Sequence, residues 1–259
     1  MIAAPVISVR DLEIGFDSET VQPALNFDVH QGEILAILGG SGCGKSTLLK
    51  TMIGLLPPIS GDVFIDGESM RGARENGADY KRILRKLGVT YQGSAFLGSF
   101  TVGENVALPL EEHTNLSPES ISALVCIKLG LVNLHGFENH LPSEISGGMK
   151  KRAAIARALA LDPKILFLDE PSAGLDPIIS AELDSLLVRI NQALKTTMVI
   201  VTHELSSIFR IAQRVLVLGA RGQGILDQGE PKVLQKHSPN EYVRAFFNQG
   251  SAEYEEARP

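Results

Sequence analysis

The chain has 259 residues, of which 44% are hydrophobic and 21% charged, an ordinary globular composition that excludes a fibrous or disordered protein. Its net charge of −6 argues against broad binding to nucleic acid, which depends on basic side chains that neutralise phosphates. Cys43 and Cys126 form no Cys/His cluster, so we expect no structural zinc site and a reduced compartment. No apolar run approaches the ~20 residues of a membrane span, so we expect no membrane-crossing segment.

The first part of the chain combines short strands with one glycine-rich loop. Segments typical of strands, bounded by turn residues, occur at residues 6–10, 12–16, 26–29, 34–38, 62–67 and 87–92. The run Ile34–Leu38 is continuously apolar, which predicts a strand buried on both faces, as in a parallel sheet. The glycine-rich loop follows this strand and leads into a helix predicted from about residue 44 to residue 55, because two prolines come directly after it.

The later part of the chain is first helical and then alternates between strands and helices. The pattern is helical from about residue 93 to residue 161, which predicts an inserted helical subdomain. After it come predicted strands at residues 165–169, 197–203 and 214–219 and predicted helices at residues 178–194 and 205–212. This alternation predicts an α/β fold with a parallel sheet covered by helices. A short helical tail follows Gly229, and the last nine or so residues are expected to be disordered.

The glycine-rich loop fits the pattern G-x-x-x-x-G-K-[ST] between a buried strand and a helix. Its glycines let backbone N–H groups turn towards phosphate oxygens, and the helix start adds positive potential. Lys45 is expected to neutralise the β- and γ-phosphates and the Ser46 hydroxyl to bind Mg²⁺. The predicted ATP-binding residues of this loop are Gly39, Gly40, Ser41, Gly42, Cys43, Gly44, Lys45, Ser46 and Thr47.

Two acidic residues, Asp169 and Glu170, end the apolar strand predicted at residues 165–169. Ligands of open α/β sheets bind at the carboxyl ends of the strands, so these acids are expected to face the nucleotide. We expect Asp169 to hold Mg²⁺ through water and Glu170 to act as the general base for the attacking water. The loop and the acidic pair together predict a nucleotide hydrolase.

The segment Ile145–Arg152 reads ISGGMKKR and begins an amphipathic predicted helix. Ser146 is a candidate N-cap, but a cap does not explain two following glycines, which are poor helix formers. The segment resembles the LSGGQ signature of ABC-transporter ATPases. The resemblance implies that Ser146, Gly147 and Gly148 contact the γ-phosphate that a second subunit's phosphate loop holds.

Four further positions resemble this family in the expected order. Gln92 matches the Q-loop glutamine, which the resemblance implies as a further Mg²⁺ ligand. Asp176 ends a segment similar to the D-loop and is expected at the dimer seam, and His203 matches the switch histidine that contacts the γ-phosphate. Phe16 matches the aromatic residue that stacks on adenine, and a role in the core is the open alternative.

The resemblance also implies a fold and a division of the chain. It implies a P-loop NTPase core with a parallel sheet, an N-terminal antiparallel β subdomain and an inserted helical subdomain. A single ABC ATPase domain is expected over residues 1–236, with its core at 1–92 and 162–236 and its helical subdomain at 93–161. Residues 237–259 are expected to form the helical tail.

Two features are similar to one group within this family, the Mla-type ATPases that work with MCE proteins in phospholipid transport. Ile145 and Met149 stand where the LSGGQ signature has Leu and Gln, and the same group has a segment similar to residues 91–110. In that segment an apolar groove for a helix of the membrane subunit is expected from Phe96, Leu97 and Phe100.

The expected function is therefore ATP hydrolysis that powers the movement of phospholipid or another hydrophobic substrate through a separate membrane permease. The expected protein is a homodimer, peripheral on the cytoplasmic face of the inner membrane, bound to multispanning permease subunits and to an MCE-domain protein. ATP and Mg²⁺ are the expected cofactors. Alternatives are the ATPase of a small-solute importer or lipoprotein-release system and, in another class, a soluble ABC protein acting on nucleic acid or ribosomes. The sequence indicates neither the cargo nor the direction of transport.

Two expectations concern side chains outside these motifs. Tyr242, Phe246 and Phe247 fall on one face of the helical tail, which predicts packing either on this chain's own strands or across the dimer. The Cys43 thiol is expected beside the bound nucleotide, where a maleimide would inhibit, whereas Cys126 is expected to react slowly in an apolar helix stripe.

Overall fold

A computed structural model describes residues 5–16 and 19–256 of the chain. Within these residues the strands form two sheets, an antiparallel sheet near the N-terminus and a larger, mostly parallel one. The first contains, in spatial order, β2 (Glu19–His30), β1 (Pro5–Phe16), β4 (Ser60–Ile65) and β5 (Glu68–Ser69). The second contains, in spatial order, β10 (Ile225–Gly229), β9 (Arg214–Leu218), β3 (Ile34–Gly39), β8 (Thr197–Val201), β7 (Ile165–Asp169) and β6 (Leu87–Thr90). This arrangement confirms the predicted fold class.

Helices cover the larger sheet on both faces. The part of the chain that connects β6 to β7 forms a separate helical layer. Those before β6 are α1 (Lys45–Met52), α2 (Met70–Arg74) and α3 (Gly77–Leu84). The inserted layer consists of α4 (Val102–His113), α5 (Pro118–Leu131) and α6 (Gly147–Ala158). The remaining helices are α7 (Pro177–Leu194), α8 (Leu205–Ile211), α9 (Pro231–His237) and α10 (Glu241–Glu256). None of the helices described is both long enough and apolar enough to span a bilayer.

The central strand β3 shows why the sheet needs cover on both faces. Leu35 and Ile37 pack with α1 and the antiparallel sheet, whereas Ala36 and Leu38 pack with α8 and the C-terminal helices. All six residues of the strand are buried. The continuous apolar run therefore reflects a strand between two layers, as the sequence predicts.

The N-terminal strands are longer than their sequence pattern indicates. The segments predicted at residues 6–10 and 12–16 form one strand, because a register shift between Val9 and Leu12 absorbs Asp11. Asp11 has a φ of 46°, and its backbone N–H donates to Asn26 Oδ1 at 2.9 Å. The Asn26 amide also donates to the Asp11 carboxylate at 2.9 Å, so two side-chain bonds hold the bulge within the ladder.

Several predicted boundaries are wrong by a few residues. Helix α1 ends at Met52 rather than near residue 55, because Gly54 takes a φ of 78° that ends the helical path. Strands β6 and β8 end at Thr90 and Val201, so the residues after them lie in loops. Strand β10 is missing from the prediction altogether, because ILDQG is a partly polar edge strand paired on one side only.

The helical tail packs on its own chain. Phe247 is fully buried and meets Phe209 of α8 edge to face, with ring centroids 5.7 Å apart. Phe246 is half-buried in the same cluster, but Tyr242 is 49% exposed, so the three aromatics do not share one buried face. Helix α10 runs to Glu256, where a disordered end was expected, and residues 257–259 lie outside the described residues.

Candidate functional site

The phosphate loop connects the central strand β3 to helix α1. Gly39 has a φ of 151°, and a Cβ atom on it would lie 2.7 Å from the Leu218 carbonyl oxygen, so only glycine fits there. Gly44 is the N-cap of α1, with a φ of 104° and no side-chain cap. The first N–H groups of the helix therefore have no side-chain acceptor at the cap, as an anion site at a helix start requires.

Lys45 lies over this loop. Its ammonium donates to the carbonyl oxygens of Gly39 at 2.8 Å and Gly40 at 2.9 Å. These two bonds hold the charge above the loop, where a phosphate group would replace the carbonyls as acceptor.

The Cys43 thiol is buried, so the expectation that a maleimide reaches it beside the nucleotide is wrong. Cys43 is 2% exposed, and its side chain packs in the core between the sheets. The turn at Gly42, with a φ of 75°, leaves the backbone of the loop outside and directs the thiol inward. Cys126, in contrast, is exposed on α5.

An open cleft of about 330 Å³ lies beside the phosphate loop. Phe16 lines it together with Gly44, Lys45 and Ser46, and its ring is 50% exposed. An exposed aromatic ring at the end of β1 suits stacking on a planar base better than a role in the core. Arg221 lines the same cleft, held by a 3.0 Å ion pair with Glu19, and no motif in the sequence indicates it.

Asp169 and Glu170 lie where strand β7 ends, beside the end of β8. Burial raises the pKa of Asp169, and the neighbouring Glu170 raises it further, whereas Lys50, Lys151 and Lys45 oppose this rise. Two neighbouring carboxylates that are partly buried repel each other, so a bound cation would stabilise their charged forms.

The structure brings Glu170 and His203 together. Glu170 Oε1 lies 2.8 Å from His203 Nδ1, which donates to the carboxylate when it carries the proton. Glu170 is a non-glycine residue at a φ of 48°, and its backbone N–H donates to the Val201 carbonyl at 2.8 Å. Its second oxygen, Oε2, is buried without a protein partner among the described residues. One oxygen is thus fixed and the other is left for an incoming donor.

Gln92 lies two residues beyond the end of β6, in the loop that leads to α4. Its side chain is exposed, and its carbonyl oxygen accepts a bond from Lys151 of α6. Farther along, Arg157 donates to the carbonyls of Ser94 at 2.6 Å and Ala95 at 2.7 Å.

The three residues predicted to form an apolar groove in this segment differ in exposure. The Arg157 guanidinium lies 4.9 Å from the centre of the Phe96 ring, which packs inward against the helical layer. Leu97 and Phe100 are exposed, at 47% and 36%. Of the three residues predicted to form the groove, Leu97 and Phe100 are therefore exposed and Phe96 is half-buried.

The signature segment begins helix α6. Ser146 is its N-cap, accepting from the Met149 N–H at 3.2 Å. A Cβ atom on Gly148 would lie 2.9 Å from Ile179 Cγ2, so contact within the chain explains that glycine. A Cβ atom on Gly147 would have no described neighbour within 4 Å, so contacts among the described residues do not explain why this position is glycine.

Asp176 is the N-cap of helix α7. Its Oδ1 accepts from the N–H groups of Ile178 at 3.0 Å and Ile179 at 3.1 Å. Asp176 thus has a structural role within its own chain, and its place at a dimer seam stays a prediction. The following residue Ile178 is 73% exposed.

The known proteins that this chain resembles are ATP-binding proteins of transport systems. The family model described as ABC transporter matches residues 23–173. The chain is 34% identical to the Haemophilus influenzae intermembrane phospholipid transport system ATP-binding protein MlaF, with 93% of this chain and 98% of the relative covered. It is 35% identical to the Escherichia coli K12 protein of that name, covering 95% and 89%. It is 39% identical to the probable ribonucleotide transport ATP-binding protein mkl of Mycobacterium leprae, covering 88% and 67%.

Solved structures share the fold. A dimeric, post-hydrolysis ATP-binding cassette, MJ0796 bound to ADP and Pi, superposes with a TM-score of 0.77 at 28% identity, covering 86% of this chain and 98% of that one. CbiO1 of Clostridium perfringens, part of the ABC transporter complex cbiONQ, superposes with a TM-score of 0.81 at 28% identity, covering 97% and 99%.

Proposed function

The chain belongs to the ABC transporter family as an ATP-hydrolysing subunit, and from this premise we propose that it powers phospholipid transport through a separate membrane permease. Two relatives with phospholipid transport in their names match it over nearly their whole length. The departure of Met149 from the family signature supports the same group. The mkl relative instead favours a small-solute cargo as the second candidate.

Within this proposal Glu170 is the general base. The observation that carries the assignment is the carboxylate with Oε1 bonded to His203 and Oε2 buried without a partner in the part of the chain that the structure describes. A water placed against Oε2 gives its proton to this oxygen while its own oxygen bonds to the γ-phosphorus. The bond from that phosphorus to the β–γ bridging oxygen breaks, so ADP leaves and phosphate is formed. His203 fixes the carboxylate and, in this proposal, contacts the γ-phosphate.

The remaining site residues act on the nucleotide. Backbone N–H groups of residues 39–47 bind the phosphates, Lys45 neutralises them, and Phe16 stacks on adenine in the cleft beside the loop. Ser146, Gly147 and Gly148 of one subunit close on the γ-phosphate held by the other, with Asp176 at the seam. Gly147 supports this, because its Cβ position has no described atom within 4 Å and so leaves room for a partner's phosphate.

A magnesium ion fits the oxygen donors of Ser46, Gln92 and Asp169. Mg²⁺ prefers oxygen ligands and keeps several waters, which suits a site with a hydroxyl, an amide and a carboxylate acting through water. Burial and the neighbouring Glu170 raise the pKa of Asp169, and a cation bound there would favour its charged form. When bound, Mg²⁺ supplies positive charge to the phosphate oxygens during transfer.

The proposed assembly is a homodimer at the cytoplasmic face of the inner membrane, held there by multispanning permease subunits and accompanied by an MCE-domain protein. In each chain the ATPase domain spans residues 1–236, with residues 93–161 as the helical subdomain. Leu97 and Phe100 provide exposed apolar surface beside the Q-loop for the permease contact.

Replacing Glu170 by Gln tests the site. We expect at least a ~10²-fold loss of ATP turnover with ATP binding retained, because the amide keeps the shape but cannot take a proton. Steady-state hydrolysis and binding of a fluorescent ATP analogue measure the two properties. Turnover close to that of the unmodified protein would remove Glu170 from the role of base.

Reconstitution tests the cargo. The chain is purified with the permease that copurifies from its own membranes, and the complex is placed in liposomes with labelled phospholipid or labelled ribonucleotide. We expect ATP-dependent movement of the phospholipid only. Movement of the ribonucleotide instead would transfer the assignment to the small-solute candidate.

A further inference from the structure

We infer that Lys151 is a positioning residue that connects the signature helix to the general base. Its ammonium donates to two backbone carbonyls, that of Gln92 at 2.5 Å and that of Glu170 at 3.3 Å. One side chain of α6 thus contacts the Q-loop and the residue proposed to activate water.

The two carbonyls belong to segments that are otherwise far apart in the sequence. Gln92 follows the edge strand β6 and Glu170 follows its neighbour β7, and Lys151 is half-buried between them. Desolvation lowers the pKa of Lys151, but the nearby carboxylates of Glu170, Asp169 and Glu204 favour its charged form. The ammonium is therefore a half-buried donor within an acidic site rather than part of a fully solvated helix face.

The backbone at Glu170 needs such a restraint. A φ of 48° at a non-glycine residue is a strained conformation that persists only when its surroundings fix it. The Glu170 N–H donates to Val201, and its carbonyl accepts from Ala173 at 3.2 Å as well as from Lys151. Without the Lys151 side chain, the backbone of Glu170 keeps its bonds to Val201 and Ala173 but loses its bond to α6.

Lys151 lies on α6 close to the signature segment, so a movement of this helix would also move the ammonium. The helix begins at Gly147, and Ser146 caps it, so Lys151 lies little more than one turn from the signature. When a partner subunit's nucleotide draws the signature into place, the same helix carries Lys151 and with it the two carbonyls. The orientation of Glu170 thereby depends on the placement of the signature helix.

The test compares Lys151→Met, which keeps the aliphatic stem, with Lys151→Arg, which keeps the donors. We expect the Met variant to lose at least about tenfold in kcat with little change in KM for ATP, because Lys151 contacts no substrate atom and a small misplacement of a catalytic group is costly. The Arg variant is expected to recover most of kcat. A matched control is Lys164→Met, which also loses a bonded ammonium, its partner being Asp66 at the opposite end of β7, and is expected to keep kcat.

A second comparison separates positioning from stability and from the choice of base, on which this inference rests. In a Glu170→Gln background, Lys151→Met is expected to cause no further loss, since no base remains to be positioned. Equal losses in both backgrounds, a rise in KM with unchanged kcat, or failure of Arg to rescue would each overturn the role of Lys151. A Glu170→Gln protein with normal turnover would instead overturn the proposed base, which keeps the two failures distinct. Thermal unfolding and ATP binding of each variant show that the protein is folded.

Discussion

Lys45 bonds to the carbonyls of its own phosphate loop, and ATP offers it a better acceptor. Replacing Lys45 by Ala should weaken ATP binding by about 10- to 100-fold, because a hydrogen bond to a charged group contributes about 1.5–3 kcal/mol. Titration with a fluorescent ATP analogue measures the change. Unaltered affinity would show that the loop amides alone bind the phosphates.

The two thiols should react in the opposite order to that expected from the sequence. Cys126 is exposed and Cys43 is buried, so a maleimide should label Cys126 alone in the native chain, without loss of ATPase activity and without protection by Mg-ATP. Mass spectrometry after digestion identifies the labelled residue. Labelling of Cys43 in the folded protein would contradict the inward direction of its side chain.

At the scale of single residues, motif positions are predictable and side-chain direction is not. Lys45, Asp169, Glu170 and His203 can be found from the sequence because each begins a helix or lies at, or just after, the end of a strand. Whether Cys43 faces the nucleotide or the core depends on the turn at Gly42. Lys151 belongs to an amphipathic helix and resembles a solvated lysine until the fold places β6 and β7 beside it.

At the scale of elements, the turn after β4 connects the antiparallel sheet to the core. Asp66 accepts from Lys86, just before β6, at 3.0 Å and from Lys164, just before β7, at 2.6 Å. Partial burial raises the pKa of Asp66, but the bonds from Lys164 and Lys86 outweigh it and hold this pKa below its ordinary value. A folded pKa below the unfolded one means that the contribution is present above pH ~4 and is lost as pH falls through the folded pKa.

Replacing Asp66 by Asn should therefore lower stability at neutral pH by about 1 kcal/mol or less, as half-exposed ion pairs do. The difference from the unmodified chain should shrink as pH falls below ~4 and vanish once pH is below the lowered folded pKa, where the carboxylate is protonated in both states. Asn also tolerates the φ of 53° at this position, which makes it a suitable replacement. Thermal unfolding across pH measures both effects, and a difference that stays constant with pH would contradict the charge argument.

The packing of α10 makes a prediction about the tail. Phe247→Ala should destabilise the chain by about 3–5 kcal/mol, since it removes a fully buried ring beside Phe209. Tyr242→Ala, on the same helix and half-exposed, is the control and should change the unfolding temperature little. A loss of dimer without loss of stability in the Phe247 variant would support docking across the dimer instead.

Elements with a strong apolar pattern are predictable, whereas those fixed by distant partners are not. Strands β3, β7 and β8 are buried on both faces, so their sequences alone identify them. Strand β10 has a weak pattern because only β9 pairs with it. The continuity of β1 depends on the bonds between Asp11 and Asn26, which pattern alone cannot show.

At the scale of the whole molecule, Gly147 provides a test of the composite site. Its Cβ position is open in the chain's own fold, so Gly147→Glu should fold normally and bind ATP, while its charge repels the phosphates of a partner subunit. Neither this variant nor Lys45→Ala should hydrolyse ATP well alone. Mixing them should restore activity, because one site of the mixed dimer combines an intact phosphate loop with an intact signature.

Sedimentation in the presence of ATP complements this measurement. Glu170→Gln should form a stable dimer with ATP, and adding Gly147→Glu to the same chain should abolish that dimer. Activity of the mixture no greater than the sum of its components, with dimers still formed by the double variant, would contradict the arrangement in trans.

The strand order of the larger sheet has a consequence for biosynthesis. The strand that carries the phosphate loop ends at Gly39, but its two neighbours span Thr197–Val201 and Arg214–Leu218. During translation this apolar strand leaves the ribosome long before either neighbour exists, so both of its edges stay open to chaperones or to wrong pairings. The helices of residues 93–161 contact one another and can associate earlier. The chain should therefore acquire nucleotide binding only when nearly all of it has been synthesised.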